Sequence, residues 1–171
     1  MLLGLRRRSS KEEFYLKSNN SLPPTLLFEI YEAVLSQKLS LRFRTKGVSM
    51  SPFIKDQDII TISLLSNCAI GLGEIVVFMH PQTKKLFIHR IIGRSQDCYL
   101  IKGDNIFITD GLIPKKNILG VVTKVERKGK KIIFGLGYER YIIAALSKAK
   151  ITNLFLRVIK LILAPIKKII R

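Results

Sequence analysis

Three short segments of this 171-residue chain concentrate side chains able to do chemistry: Gly47-Val48-Ser49-Met50-Ser51-Pro52, then His89-Arg90, then Lys102-Gly103-Asp104-Asn105 with Asp110 following. Serine, histidine and aspartate are the set that acyl transfer requires. A serine hydroxyl is too weak to attack a carbonyl at neutral pH, an imidazole with an ordinary pKa of about 6.5 takes its proton, and a carboxylate fixes the ring. Taken singly, each piece has an ordinary structural reading. A serine before Met-Ser-Pro is a turn residue, a histidine within a strand is a satisfied core side chain, and Gly-Asp-Asn is a turn. Their succession within one β-rich stretch is what points to chemistry. The two cysteines, Cys68 and Cys98, have neither CxxC spacing nor a neighbouring His/Cys cluster, so neither a disulfide scaffold nor a zinc site is expected, and the Ser/His/Asp chemistry itself needs no metal or organic cofactor.

The elements that must position these residues follow from hydrophobic period. Residues 1–22 are mixed and polar and read as an N-terminal tail. After Pro23-Pro24, Leu26, Leu27, Ile30, Val34 and Leu35 recur at helical spacing, which predicts an amphipathic helix at about 25–38. From residue 41 the period becomes two. Strands are predicted at 41–46, 58–64, 74–79, 85–92, 98–102, 117–127 and 130–134, with hairpin turns at Pro81-Gln82-Thr83-Lys84 and Lys128-Gly129. The expected fold is mainly β (α+β), an antiparallel domain over residues 23–135, followed by a helical segment at 136–171.

That last segment carries much of the charge. The chain has 30 Lys+Arg against 12 Asp+Glu, a formal charge of +18. Residues 1–114 contribute +5, whereas residues 115–171 contribute +13, with only Glu126 and Glu139 opposing. Around Arg157, Lys160, Lys167 and Lys168 lie Leu154, Phe155, Val158, Ile159, Leu161, Ile162 and Ile166. A cationic rim beside an apolar face suits an anionic membrane surface, where each Lys or Arg contributes roughly 1 kcal/mol. The bland alternative is a core helix closing the β domain. No run of about 18 nearly uncharged apolar residues spans a bilayer. The apolar Met1 to Leu5 stretch precedes Arg6-Arg7-Arg8, the reverse of a signal peptide. A cytoplasmic protein at the periphery of the membrane is expected.

The blocks Gly47-Val48-Ser49-Met50-Ser51-Pro52-Phe53-Ile54-Lys55-Asp56-Gln57-Asp58, Gly73-Glu74-Ile75-Val76-Val77-Phe78, Ile88-His89-Arg90-Ile91-Ile92, Lys102-Gly103-Asp104-Asn105 with Asp110, and Ile118-Leu119-Gly120 together resemble the signal peptidase and LexA-type serine peptidase superfamily. The resemblance spans residues 41–127. Bacterial signal peptidases and LexA-type repressors use a Ser–Lys dyad, whereas signal peptidases of the endoplasmic-reticulum type carry histidine where this chain has His89. The resemblance therefore implies Ser49 as nucleophile, His89 as general base, and an aspartate of the third block as the orienting group, Asp110 matching the catalytic acid better and Asp104 supporting its loop. It also implies a peptide or protein substrate bound in extended conformation against a sheet edge, with Met50, Phe53 and Val77 shaping its pockets.

Two departures stand out. Signal peptidases usually read Ser-Gly-Ser-Met, and here the first position is Gly47, so backbone N–H groups must hold the oxyanion. Residues 25–37, with Glu29 and Glu32, cannot form the usual membrane anchor. The reading is a serine endopeptidase cutting a leader or pro-segment at the membrane surface. Its rivals are an inactive basic module binding membrane or, as second choice, nucleic acid, and a self-cleaving regulator.

Overall fold

The alternating and β-branched runs form strands. The computed structural model describes residues 4–5, 13–16, 29, 33, 40–64 and 70–151. Among the described residues the strands are β1 (Gly4–Leu5), β2 (Glu13–Leu16), β3 (Ser40–Arg44), β4 (Ile59–Leu64), β5 (Ile75–Met79), β6 (Leu86–Ser95), β7 (Cys98–Lys102), β8 (Gly111–Pro114), β9 (Ile118–Arg127) and β10 (Lys130–Ile132), and the helix α1 spans Arg140–Lys148. They join into one sheet in the order β1-β2-β3-β4-β9-β5-β6-β7-β8, with β10 on the flank of β9. Every pairing is antiparallel except β2 with β3. The mainly β, antiparallel fold is the one the sequence predicts.

β5 shows how the period-two pattern builds the core. Ile75 and Val77 enter one apolar cluster with Leu41, Ile60, Ile62, Val122 and Val125. Val76 and Phe78 enter a second, with Ile91, Tyr99, Ile101, Ile113 and Val121. Both faces of β5 are thus buried, which is why this strand reads as an unbroken apolar run rather than an alternation. The β9–β10 hairpin turns on Lys128 (φ 51°) and Gly129 (φ 77°), the left-handed pair that a two-residue turn needs.

Two parts of the chain differ from expectation. β1 and β2 lie in the stretch read as a polar tail, and β2 pairs with β3, Phe14 opposite Leu41. Its few apolar residues are flanked by charge and leave no visible period. β8 arises in the loop after β7, where Asp110 and Gly111 mask a four-residue strand. The helix α1, which begins beyond residue 135, docks on the sheet: Ile143, Ala144 and Ser147 are buried, and Arg140 pairs with Glu74 at 2.8 Å. Of the helix expected at 25–38, Glu29 and Ala33 are described, both helical, and the rest lies outside the described residues. So do residues 152–171, with Arg157, Lys160, Lys167 and Lys168.

Beneath α1, Lys102 is buried, and its Nζ donates to Ser147 Oγ at 3.0 Å. Burial holds its pKa below the ordinary 10.5, with Asp104 opposing the shift and Lys150 adding to it. The folded chain therefore binds this proton less tightly than the unfolded chain, so stability rises with pH between the folded value and 10.5. Urea unfolding of wild type and Lys102→Met across that range is expected to show the difference between them moving in favour of wild type as pH rises. A pH-independent difference would contradict this.

Candidate active site

Ser49 sits in the turn that follows β3. The turn is closed on itself: Thr45 N donates to Asp58 O at 2.8 Å, Gln57 N to Thr45 O at 3.0 Å, and Thr45 Oγ1 to Lys55 O at 2.8 Å. Arg127 of β9 grips it from outside, donating to both Asp58 carboxylate oxygens at 2.9 and 2.8 Å and to the carbonyls of Pro52 and Phe53. Met50 and Ile54 sink into the core beside β5. Ser49 is therefore half-buried on a turn with little freedom.

Gly47 shapes the approach to it. At φ 104° a side chain would be strained. Its N–H donates to Asp56 Oδ1 at 2.8 Å, and that bond holds the Asp56 carboxyl below its ordinary range. The glycine that departs from the family pattern is thus the residue this backbone favours.

His89 comes from β6 and is almost fully buried. Its Nδ1 lies 2.7 Å from Asp110 Oδ2, with Asp110 still partly open to solvent. Phe87, two residues earlier on the same strand, stacks on the imidazole with ring centroids 5.6 Å apart, and Phe78 stands 6.2 Å away. The other ring nitrogen, Nε2, lies beside Gly103. A Cβ added to Gly103 would lie 3.0 Å from His89 Nε2 and 2.9 Å from the Ser49 carbonyl oxygen, so only a residue without a side chain allows these two elements to approach as they do.

The loop between β7 and β8 links all three. Asn105 N donates to Ser49 O at 2.8 Å and its Nδ2 to Val48 O at 3.2 Å, while Asp110 N donates to Ile101 O at 2.9 Å. Asp104 faces elsewhere. Arg90 Nε bonds both its oxygens at 3.0 and 3.1 Å and Nη2 bonds one at 2.8 Å, with both side chains fully buried. The guanidinium also donates to the carbonyls of Gly73 at 2.8 Å and Gly135 at 2.9 Å. Asp104 is thus the partner of Arg90, and Asp110 the partner of His89.

A cleft of about 110 Å³ opens beside Ser49 and His89. Thr45, Lys46, Gly47 and Met50 line it from the turn, and Leu86, Phe87 and Ile88 from β6, together with Ile54. Of the three residues expected to shape the pockets, Met50 lines this cleft. Phe53 and Val77 do not line the cleft: Phe53 packs under Arg90 and against Phe134, and Val77 is in the core. The Leu86–Phe87–Ile88 wall was missed, although its position on the strand that delivers His89 was a usable signal. These residues pair with β5 on one side, whereas pairing with β7 begins at Arg90, so their other edge carries no strand among the described residues.

A family model described as signal peptidase, peptidase S26, matches residues 24–131. The matched stretch contains Ser49, His89, Asp104 and Asp110 and ends before α1. No curated protein matches the chain.

Proposed function

Because the chain belongs to the peptidase S26 family of signal peptidases, we propose that it is a serine endopeptidase acting through Ser49, His89 and Asp110. The His89–Asp110 contact at 2.7 Å carries the reading. Asp110 accepts Nδ1–H, which leaves the Nε2 lone pair on the side of Gly103 and the serine turn. Nε2 takes the Ser49 proton as Oγ attacks the scissile carbonyl. The imidazolium then protonates the leaving amine, and water hydrolyses the acyl-enzyme by the same base. Backbone N–H groups of the Ser49 turn hold the oxyanion in place of the absent hydroxyl at Gly47.

The substrate lies extended in the cleft, adding main-chain hydrogen bonds to the open edge of residues 86–88, while Met50, Ile54, Leu86 and Phe87 offer apolar pockets. Nothing in this chemistry calls for a metal or cofactor. The substrate is a peptide or small protein losing a leader or pro-segment. The work is done on the cytoplasmic side of an anionic membrane, with Arg157, Lys160, Lys167 and Lys168 of the acid-free C-terminal segment at the lipid surface. Among the described residues no helix is long and apolar enough to cross a membrane.

Treatment of the purified protein with a serine-phosphonylating probe, with and without anionic vesicles, followed by peptide mass mapping, tests the site. An adduct on Ser49, and not on the neighbouring Ser51, is expected. A folded protein in which Ser49 remains unlabelled under both conditions while Ser51 or another serine reacts would refute the assignment.

A further inference from the structure

α1 is apolar on both sides. Ile143 and Ala144 are buried against the sheet, yet on the outward side Tyr138, just before the helix, is 91% exposed, Ile142 62% and Tyr141 45%. A helix docked by one face ordinarily turns charge to water on the other. Here the helix has only Arg140, tied to Glu74, and Lys148 to offer. The turn before it extends the patch with Ile133, 66% exposed, and Phe134, 60% exposed. Glu139 Oε1 accepts from Gly135 N and Gly137 N at 2.6 and 3.0 Å and so ties that turn to the start of α1. A surface of this kind marks an interaction site.

The charge around it selects the partner. Exposed Lys130 and Lys131 lie on the chain before the patch and exposed Lys148 and Lys150 after it. From residue 128 to 171 Glu139 is the one acid in the sequence, and its carboxylate faces backbone N–H groups. A second copy would bring the same lysines and its own +18, so self-association is opposed by repulsion. Nucleic acid matches the lysines but gives isoleucine side chains nothing to bury against. Tyrosine rings and aliphatic groups ringed by lysine match the boundary between anionic headgroups and acyl chains.

We propose that Ile133, Phe134, Tyr138, Tyr141 and Ile142 form a membrane-docking face that inserts into the headgroup region of an anionic bilayer. This face lies outside the stretch shared with the family. It deepens the membrane location proposed above by assigning contact to the docked helix, so that the lipid surface and the catalytic sheet are held in one rigid unit.

The chain contains no tryptophan, so Tyr138→Trp places a single reporter in the patch. With vesicles of phosphatidylcholine and phosphatidylglycerol its emission is expected to shift to the blue and to be quenched by brominated acyl chains. Vesicles of phosphatidylcholine alone should change it little. Adding Tyr141→Ser and Ile142→Ser to the reporter chain should lower the vesicle partition coefficient about tenfold. Cosedimentation with vesicles while the emission stays that of an exposed indole would mean that the tail alone binds lipid, and would overturn the proposal. Blue-shifted emission already in buffer would also overturn it, a dependence on dilution identifying a second copy and its absence another part of the chain. A shift with DNA in place of vesicles would assign the face to nucleic acid instead. None of these readings depends on Ser49, so a failure here is separate from a failure of the peptidase assignment.

Discussion

Asp110→Asn is expected to slow phosphonylation of Ser49 by about 10⁴-fold while leaving the protein folded. The carboxylate holds His89 Nδ1 at 2.7 Å. Only the tautomer with the proton on Nδ1 presents a lone pair at Nε2, the nitrogen beside Gly103 and the serine turn. An asparagine amide has nearly the same shape, but its NH₂ group favours the opposite tautomer, and neither rotamer of the amide brings a negative charge to the imidazolium formed as Ser49 loses its proton. Asp110 is partly open to solvent, so no charge is stranded in the interior, and the change in unfolding midpoint is expected to be small. The measurement is a second-order labelling rate against probe concentration, paired with urea unfolding. A variant that labels at the wild-type rate would remove Asp110 from the mechanism. A variant that loses stability in proportion to its reactivity would make Asp110 a structural residue only.

The same two aspartates show where sequence reading reached its limit. Ser49, His89 and an aspartate were legible because each stands in a short block whose order reflects the sheet: a turn after β3, the middle of β6, the loop after β7. Which aspartate meets the histidine was not legible from the residues alone, because both lie in one loop. The choice is made by direction, Asp104 turning under β6 to Arg90 and Asp110 reaching His89 at the start of β8. Phe53 and Val77 looked like pocket residues for a related reason. Phe53 follows the serine block and Val77 sits on a strand beside it, but β5 is buried on both faces and leaves no side chain for a cleft. The residues that line it from β6, Leu86, Phe87 and Ile88, read in sequence as ordinary strand. What exposes them is the late start of the β6–β7 pairing, a long-range register that no local pattern encodes. The strands at residues 4–5 and 13–16 were hidden likewise, since they exist by pairing with each other and with β3 rather than by their own period.

Asp104→Ala is expected to destabilise the fold by about 3–5 kcal/mol, the cost typical of leaving one member of a buried ion pair without its partner. Arg90 is fully buried, and Asp104 supplies three of its five hydrogen bonds. Once the carboxylate is gone, the carbonyls of Gly73 and Gly135 and the Phe53 ring beneath the guanidinium, 5.3 Å from its centre, are too weak to hold a desolvated cation. The double variant Asp104→Ala with Arg90→Met removes the stranded charge and is expected to recover much of the loss, whereas two independent sites would add their costs. Urea unfolding of the two single variants and the double variant gives the coupling directly. Because Arg90 follows His89 and Asp104 follows Gly103, this pair joins the strand that carries the base to the loop that carries its orienting acid. The recovered double variant should therefore label at Ser49 more slowly than wild type even where it is fully folded. Wild-type labelling in a stable double variant would show that the ion pair serves stability alone, and a loss near 1 kcal/mol in Asp104→Ala would show that water reaches Arg90.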